Sequence, residues 1–344
     1  MLGLAGDECG INGSSSLVLH SNAKSVPPFN YELDIALPFI FREPRISLTS
    51  NLIGQLRLNV DRIAVNIDEL IGNRPITVND HEVTVRGANA RVIVSILRRK
   101  DCPPMAPAIY YVHGGGYMFG DRFSGIDSLI EWVQQFNVVG LTVEYRLAPE
   151  YPHPAPIDDC YAGLIEITDS AGELGIDRKR LVLVGISSGG GLAAGLSLLA
   201  RDKHGPEIAG QLLISPMLDD RNDTVSARQF AESALWDRTS NETAWKALLG
   251  DLSGAEEVSY YAAPARAMNL TNMPSTYIEC GSCETFRDED VTYAARLWAA
   301  GVQAELHVWP GAFHGFDALA PWAALSIEAR RARRKWLQRA ISNQ

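Results

Sequence analysis

The sequence lacks an excess of positive charge. Its 344 residues carry 31 Lys and Arg against 41 Asp and Glu, so the formal net charge is −10 at pH 7. Binding to nucleic acid or to an anionic membrane would require a basic face. The one basic run, RRARRKW at 330–336, continues a helical pattern and predicts a solvated helix face rather than a nuclear-localisation signal. We therefore expect no nucleic-acid partner.

Cysteines are few and show no secretory pattern. The first ten residues, MLGLAGDECG, lack the basic segment and apolar run of a leader peptide. Cys280 and Cys283 form a C-x-x-C, but neither a second pair nor a His at zinc-ligand spacing accompanies them. A reduced, cytoplasmic protein without a metal is the resulting expectation. The five scattered cysteines are Cys9, Cys102, Cys160, Cys280 and Cys283.

Long uncharged runs are also scarce, and residues 181–200 form the one that could span a bilayer. This run contains five glycines and three serines, and its first residues, LVLVG, are typical of a buried strand. A strand, a sharp turn and a buried helix fit the run better than a membrane span. Internal repeats and low-complexity segments are missing as well.

What the sequence does contain is a regular alternation of strand and helix patterns. Helical patterns at 129–136, 158–167 and 291–301 separate several of the apolar runs. This rhythm predicts one α/β domain over 1–344, with a mostly parallel sheet flanked by helices. The first two runs, joined by a turn at 87–90, predict an antiparallel hairpin at the sheet edge. The predicted strands are 76–85, 91–98, 108–112, 138–144, 181–185, 210–215, 275–280 and 304–309.

Two stretches interrupt this rhythm, at about 1–50 and about 217–262, and neither has a strand period. We expect both to form a helical cap over the carboxyl edge of the sheet, where open α/β folds bind ligands. Apolar side chains in the cap favour a hydrophobic ligand, although they could equally serve only to pack the cap onto the body. The aromatic ones are Phe29, Tyr31, Phe39, Phe41 and Trp236.

The glycine-rich stretch LVGISSGGGLAAG at 183–195 has two possible interpretations, a phosphate loop or a nucleophile turn. A P-loop requires a Lys after its glycines, and none follows before Lys203; the dinucleotide pattern G-x-G-x-x-G fails because Ser187 follows Ile186. The nucleophile elbow G-x-S-x-G is matched by Gly185 to Gly189, between a strand and a helix. Ser187 holds the nucleophile position.

A serine nucleophile needs a base and an oxyanion site, and both follow other predicted strands. HGGG at 113–116 follows the third strand, so the amides of Gly114 and Gly115, with that of Ser188, can stabilise an oxygen that gains negative charge. His314 lies after the last predicted strand and follows both Ser187 and the acidic stretch in the chain. Nucleophile, acid, base is the chain order in folds that carry this elbow. Of the seven histidines, it is therefore the predicted base.

These residues resemble the hormone-sensitive lipase family of α/β-hydrolase esterases. The shared motifs are HGGG (113–116), YRLAPE (145–150), GISSGG (185–190) and HGF (314–316), in the family's order. The resemblance implies an α/β-hydrolase fold, a serine carboxylesterase, a helical cap, no metal or organic cofactor, and frequent homodimers. Two departures are Ile186 and Ser188 around the nucleophile, where other residues are common. A third is Glu284, where the family more often has Asp.

Four carboxyl groups compete for the role of triad acid. The acid belongs in the loop just beyond a strand, which favours Glu284 because the seventh strand should end near Cys280. Asp288, Glu289 and Asp290 fall at the start of the next helix, where negative charge complements the helix dipole. Asp288 remains the alternative acid.

The resulting hypothesis is acyl transfer to water from a small or medium-sized hydrophobic ester. Ser187 attacks, His314 takes the proton, and Glu284 orients the imidazole. The same triad could serve an amide or lactone hydrolase. A binding protein that uses the pocket without turnover is the third possibility, although such a receptor typically lacks a triad member.

Overall fold

An eight-stranded sheet forms the centre of the fold. The structure, a computed structural model, describes residues 25–40, 46–61, 66–231 and 235–342. In chain order, the strands are β1 (Ile76–Val85), β2 (Ala90–Arg99), β3 (Ala106–Val112), β4 (Val139–Val143), β5 (Ile176–Ile186), β6 (Gly210–Ile214), β7 (Ser275–Gly281) and β8 (Ala304–Trp309).

The strand order across the sheet is β1-β2-β4-β3-β5-β6-β7-β8. β2 runs antiparallel to both of its neighbours, whereas every pair from β4 to β8 is parallel. The predicted parallel sheet with an antiparallel edge hairpin is therefore confirmed.

The largest difference from the predicted strand boundaries is in β5, which begins five residues earlier than predicted. β5 starts at Ile176 rather than at 181, because Ile176 pairs with Ala106 before the register shifts to Leu181 opposite Ala108. The intervening residues are polar, and Arg180 forms an ion pair with Asp177. An apolar pattern could not reveal this bulged extension, since its residues contribute no buried face.

Eleven α-helices within the described residues surround the sheet. They are α1 (Tyr31–Ile40), α2 (Ile53–Asp61), α3 (Ile67–Ile71), α4 (Asp127–Phe136), α5 (Ala155–Asp169), α6 (Ser188–Asp202), α7 (Val225–Gln229), α8 (Arg238–Leu249), α9 (Arg287–Ala299), α10 (Phe316–Leu319) and α11 (Ala324–Ser342). The predicted helices near 129–136, 158–167 and 291–301 correspond to α4, α5 and α9.

Helices cover both faces of the sheet, which explains its continuous apolar runs. On β5, Leu183 packs with α6 on one face, whereas Val184 packs with α4 and α11 on the other. Because successive strand residues point to opposite faces, a strand covered on both sides must be apolar at every position. The central strands are buried for this reason.

The uncharged run at 181–200 divides between β5 and α6, as predicted. All residues of α6 from Ser188 to Ala200 are buried between the sheet and its neighbours. Across the described ranges, no helix combines the length and the apolar character that crossing a membrane would require.

The basic run at 330–336 corrects one expectation. It lies on α11, but Arg333 is only 2% exposed and forms ion pairs with Glu279 and Asp317. The prediction of a wholly solvated face is therefore wrong at Arg333. The run faces solvent only in part, because α11 packs across the ends of β6 and β7 and needs one cation for the carboxyl groups there.

Candidate active site

The strand ends place the predicted functional residues at one edge of the sheet. β3, β5, β7 and β8 are parallel, so their carboxyl ends and the loops that follow lie side by side. These loops carry HGGG, the elbow, the acidic stretch and HGF. Residues distant in sequence thus meet at this edge.

Ser187 occupies a sharp turn between β5 and α6. Its φ of 57° and ψ of −123° lie in a region that residues other than glycine rarely adopt, and such strain typically marks a functional position. Close packing enforces glycine at 189, since a Cβ atom there would lie 2.2 Å from the carbonyl oxygens of both Val112 and His113. The turn that carries Ser187 therefore packs directly against the end of β3.

His314 reaches Ser187 from the loop after β8. Its Nε2 lies 3.1 Å from the Ser187 Oγ, within hydrogen-bond distance. The ring of Phe286 packs edge-on against the imidazole, with 5.2 Å between ring centroids. The imidazole side chain is 16% exposed and is held by contacts on two sides.

Glu284 lies behind His314, in the loop between β7 and α9. Its Oε2 is 3.2 Å from the His314 Nδ1, and its side chain is 1% exposed. Asp288 makes different contacts: it accepts hydrogen bonds from the Ser226 amide and from the Arg287 Nε. The geometry is that of a triad built from Glu284; the role itself remains a prediction.

The HGGG loop passes directly beside Ser187. A Cβ atom at Gly114 would lie 3.3 Å from the Ser187 Cβ, and Gly115 has a φ of +118°, which strongly favours glycine. Ser188 is the first residue of α6, so its N–H has no carbonyl partner within the helix. The Gly114 backbone and the start of α6 at Ser188 thus lie beside the nucleophile, and the oxyanion role of the Gly114, Gly115 and Ser188 amides remains a prediction.

His113 packs within this loop. Its ring stacks on Tyr145 at 4.2 Å between centroids, and its Nδ1 lies 2.8 Å from the Gly114 carbonyl oxygen. The Tyr145 hydroxyl donates to the His113 carbonyl, which ties the YRLAPE loop to HGGG. Burial lowers the pKa of His113, which favours a neutral ring at neutral pH.

Trp236 contacts both the HGGG loop and the loop that contains Glu284. A Cβ at Gly116 would lie 2.4 Å from its indole ring, and its carbonyl accepts a hydrogen bond from the Thr285 hydroxyl. The indole N–H donates to the Asn241 side chain. This side chain therefore connects the region at 217–262 to the candidate site.

The N-terminal region reaches the same loops through Arg57 of α2. Its guanidinium donates to the Met118 and Ala148 carbonyls and to the Glu150 carboxylate. Nearer the N-terminus, the Leu48 amide donates a hydrogen bond to the Ser240 hydroxyl of α8. The Leu48 carbonyl accepts one from the Thr243 hydroxyl of the same helix. The two regions assigned to the cap thus contact each other.

The predicted cap aromatics differ in position. Phe29 packs edge-on against Phe313, next to His314, with ring centroids 6.2 Å apart. Tyr31 and Phe39 are 78% and 80% exposed, so they do not help to enclose a ligand site. Phe41, residues 1–24, and residues 232–234 lie outside the described residues.

The start of α9 also differs from expectation. Glu289 and Asp290 were expected only to complement the helix dipole, but both are buried, and the Glu289 Oε1 accepts hydrogen bonds from the Leu218 and Asp219 amides. Sequence analysis missed this because charge at a helix start is usually solvated. The i, i+6 spacing of Glu284 and Asp290 gave no signal of their proximity.

A family model described as "alpha/beta hydrolase fold" matches residues 109–318. Esterase LipI of Mycobacterium tuberculosis is 31% identical over 230 residues, which cover 66% of this chain and 72% of the relative. Carboxylesterase NlhH of the same organism is 34% identical, with coverage of 65% and 70%.

Solved structures agree with these relatives. The structure titled "Bacterial Heroin Esterase" has a TM-score of 0.84 and 34% identity, and the match covers 91% of this chain and 98% of that one. Esterase LipW from Mycobacterium marinum has a TM-score of 0.80 and 32% identity, with coverage of 92% and 98%. The chain therefore belongs to the hormone-sensitive-lipase-like family of α/β-hydrolase carboxylesterases.

Proposed function

We propose that this carboxylesterase hydrolyses small to medium-sized hydrophobic esters through an acyl-enzyme formed on Ser187. The observation that carries the proposal is the unbroken series of contacts from Ser187 to His314 to Glu284, at 3.1 and 3.2 Å. A nucleophile, a base and an orienting acid at such distances are the requirements of this chemistry.

In the first half-reaction, the Ser187 Oγ attacks the ester carbonyl while the His314 Nε2 takes the hydroxyl proton. The tetrahedral intermediate collapses as His314 returns this proton to the leaving alcohol. In the second half-reaction, His314 takes a proton from water, which attacks the acyl-enzyme, and then returns it to Ser187. Glu284 stays ionised, fixes the imidazole tautomer and stabilises the imidazolium.

The oxyanion of each intermediate is held by the amides of Gly114, Gly115 and Ser188. Fixed N–H groups in a buried site stabilise developing charge without reorganisation, and the loss of one such donor typically costs about 10²–10³ in kcat. The support for this assignment is the approach of Gly114 to Ser187 and the start of α6 at Ser188.

The cap consists of the N-terminal region, about 1–50, and the region at about 217–262. Contacts from Leu48 to α8 and from Trp236 to Gly116 support this assignment. The indole beside the oxyanion loop makes part of the substrate surface apolar, which favours a hydrophobic ester. We extend the proposed cap beyond the predicted boundary to include α2, because the Arg57 guanidinium donates a hydrogen bond to the Met118 carbonyl in the oxyanion loop.

Two further parts of the proposal concern the setting of the enzyme. The four cysteines within the described residues, Cys102, Cys160, Cys280 and Cys283, are free thiols, which fits a reducing cytoplasm. A homodimer is proposed by analogy with the family.

The proposal is tested by profiling the purified protein against matched aryl esters, anilides and lactones. Similarity to proteins named esterase supports fastest turnover of the esters. Faster cleavage of anilides or lactones would move the assignment to an amidase or a lactonase. No turnover together with ligand binding would favour the receptor alternative.

Ser187→Ala should lower kcat by ~10³ or more without loss of folding, because only binding and oxyanion stabilisation remain. A fluorophosphonate should label Ser187 and not Ser188. Ser197→Ala is the matched control, since it removes another buried hydroxyl of α6 and should keep both activity and labelling. Full activity in Ser187→Ala would refute the proposed nucleophile.

A further inference from the structure

A second carboxyl group, that of Asp290, lies beside Glu284. Asp290 belongs to α9, is 0% exposed, and approaches Glu284 and Cys280 so closely that one ligand atom of each residue lies within 4.8 Å of the other two. The mechanism described above makes no use of Asp290. Its position next to the triad acid therefore requires an explanation.

Three oxygens of these two neighbouring carboxyl groups have no hydrogen-bond donor among the described residues. These atoms are the Glu284 Oε1 and both side-chain oxygens of Asp290. Arg287, the nearby cation, is engaged elsewhere, with the Ser282 carbonyl, Asp288 and Gln229. Two ionised carboxylates cannot share such a buried space at low cost, so one of them must carry a proton.

The contacts indicate which carboxyl group holds the proton. Glu284 is paired with His314 through Oε2, and the proposed reaction needs its charge. Burial, together with Glu289 and Glu284, raises the pKa of Asp290 well above its usual range. Burial also raises the pKa of Glu289 well above its usual range, but two backbone N–H bonds partly offset this effect, and Asp290 has no such bonds.

We propose that Asp290 is a protonated positioning residue whose carboxyl O–H donates a hydrogen bond to the Glu284 Oε1. This inference rests on the proposed function, because it concerns the acid of the same triad. The bond fixes the rotation of the Glu284 carboxylate so that Oε2 faces the His314 Nδ1. It also provides a hydrogen-bond donor for the second oxygen of the Glu284 carboxylate, which is buried away from water.

The other groups around Asp290 are compatible with a retained proton. Burial and the Asp290 and Glu284 carboxyls raise the pKa of the Cys280 thiol well above its usual range, so Cys280 adds no negative charge beside Asp290. Charged and titratable neighbours are Cys280 and Glu279 from β7, Glu284 and His314 from the loops, Arg287 and Glu289 from α9, and Asp219 near Glu289.

The test compares Asp290→Ala, which removes the donor, with Asp290→Asn, which replaces the O–H by an amide N–H of similar shape. In Asp290→Ala, the acid limb of the kcat/KM profile should move to higher pH by about one to two units, because the Glu284 charge loses a hydrogen bond. The loss should appear in kcat rather than KM, since Asp290 touches no substrate.

Asp290→Asn should restore most of the kcat that Asp290→Ala loses and should leave the acid limb in place. If Asp290 were ionised, its replacement by Asn would remove a negative charge and move the acid limb to lower pH, which would overturn the proposal. An unchanged profile in Asp290→Ala would also overturn it, as would a stoichiometric metal ion that Asp290→Asn no longer binds.

Infrared difference spectra between the wild type and Asp290→Asn provide a readout that is independent of turnover and of Asp290→Ala folding. The band of a protonated carboxylic acid should be present at neutral pH in the wild type only; its absence there would contradict the proposal.

If Ser187→Ala were active, the proposed function would fail. A normal Asp290→Ala profile beside an inactive Ser187→Ala would refute only the role of Asp290.

Discussion

Two buried carboxyl clusters lie within a few residues of each other along the chain, and they differ in how their charge is balanced. Glu279, in β7, accepts hydrogen bonds from Arg333, from the Tyr277 hydroxyl and from the Trp309 indole. Glu284, just after β7, has His314 on one side and an acidic neighbour, Asp290, on the other.

The difference shows how one strand and the loop that follows it can supply both a structural and a chemical group. A buried carboxylate paired with a guanidinium does not exchange its proton readily, because protonation of the carboxylate would leave the guanidinium charge uncompensated. A buried carboxylate beside an imidazole and a second carboxyl group can respond to proton movement, and such groups are typical of active sites. We therefore expect mutations to affect stability at the first cluster and activity at the second.

The largest expected effect is that of Glu284→Gln. An amide keeps the shape of the side chain but no longer enforces the imidazole tautomer, so kcat should fall by roughly 10² to 10⁴. Thermal unfolding should change little by comparison. Steady-state kinetics together with circular dichroism would check both, and a near-normal kcat would remove Glu284 from the triad.

Arg333→Met should instead act on stability. The substitution leaves Glu279 and Asp317 buried without their cation, and the loss of one partner of a buried pair typically costs about 3–5 kcal/mol of unfolding free energy. Urea unfolding would measure this cost.

Arg331→Met, on the exposed side of the same helix, should have almost no effect and serves as the control. Below its melting temperature, Arg333→Met should retain most of its kcat. An Arg333→Met variant that folds normally but loses activity would contradict the expected division between a structural cluster at Glu279 and a catalytic cluster at Glu284.

The smallest effect is expected for Asp288→Asn, at about 0.5–1 kcal/mol of stability and near-normal kcat. Burial opposes the charge of Asp288, but hydrogen bonds from Arg287 and Ser226 outweigh it and lower its pKa. The carboxylate therefore stabilises the fold above its unfolded pKa of about 4, and this contribution is lost as pH falls through the lower folded value.

Unfolding measured at pH 7 and pH 3 should therefore show the difference between wild type and Asp288→Asn shrinking at the lower pH. An inactive Asp288→Asn beside an active Glu284→Gln would transfer the role of triad acid to Asp288.

The sequence revealed the parts of the molecule that depend on local pattern. The strand β3 is buried and largely apolar on both faces, and the glycines around Ser187 are required by contacts within a few residues of a strand end. Because parallel strands end at one edge, the order of motifs also predicted that Ser187, Glu284 and His314 would be neighbours.

The burial of particular charges could not be predicted in the same way. Arg333 resembles the other basic residues of α11 in sequence, and only the packing of that helix against β7 distinguishes it. Asp290 resembles an ordinary helix-start acid until the loop containing Glu284 folds back beside it. Tyr31 and Phe39 show the converse, since aromatic character alone did not reveal that they face solvent.

The burial of α6 has a consequence for synthesis of the chain. Gly195 packs against the backbone of Tyr261, and Gly190 against Pro216, both of which leave the ribosome after α6 itself. Although α6 can already pack on β3, α5 and β5, the nascent polypeptide throughout this interval exposes the part of this uncharged segment that the later residues cover. A chaperone that holds this segment until residue 261 emerges would protect the enzyme from aggregation at its most vulnerable stage.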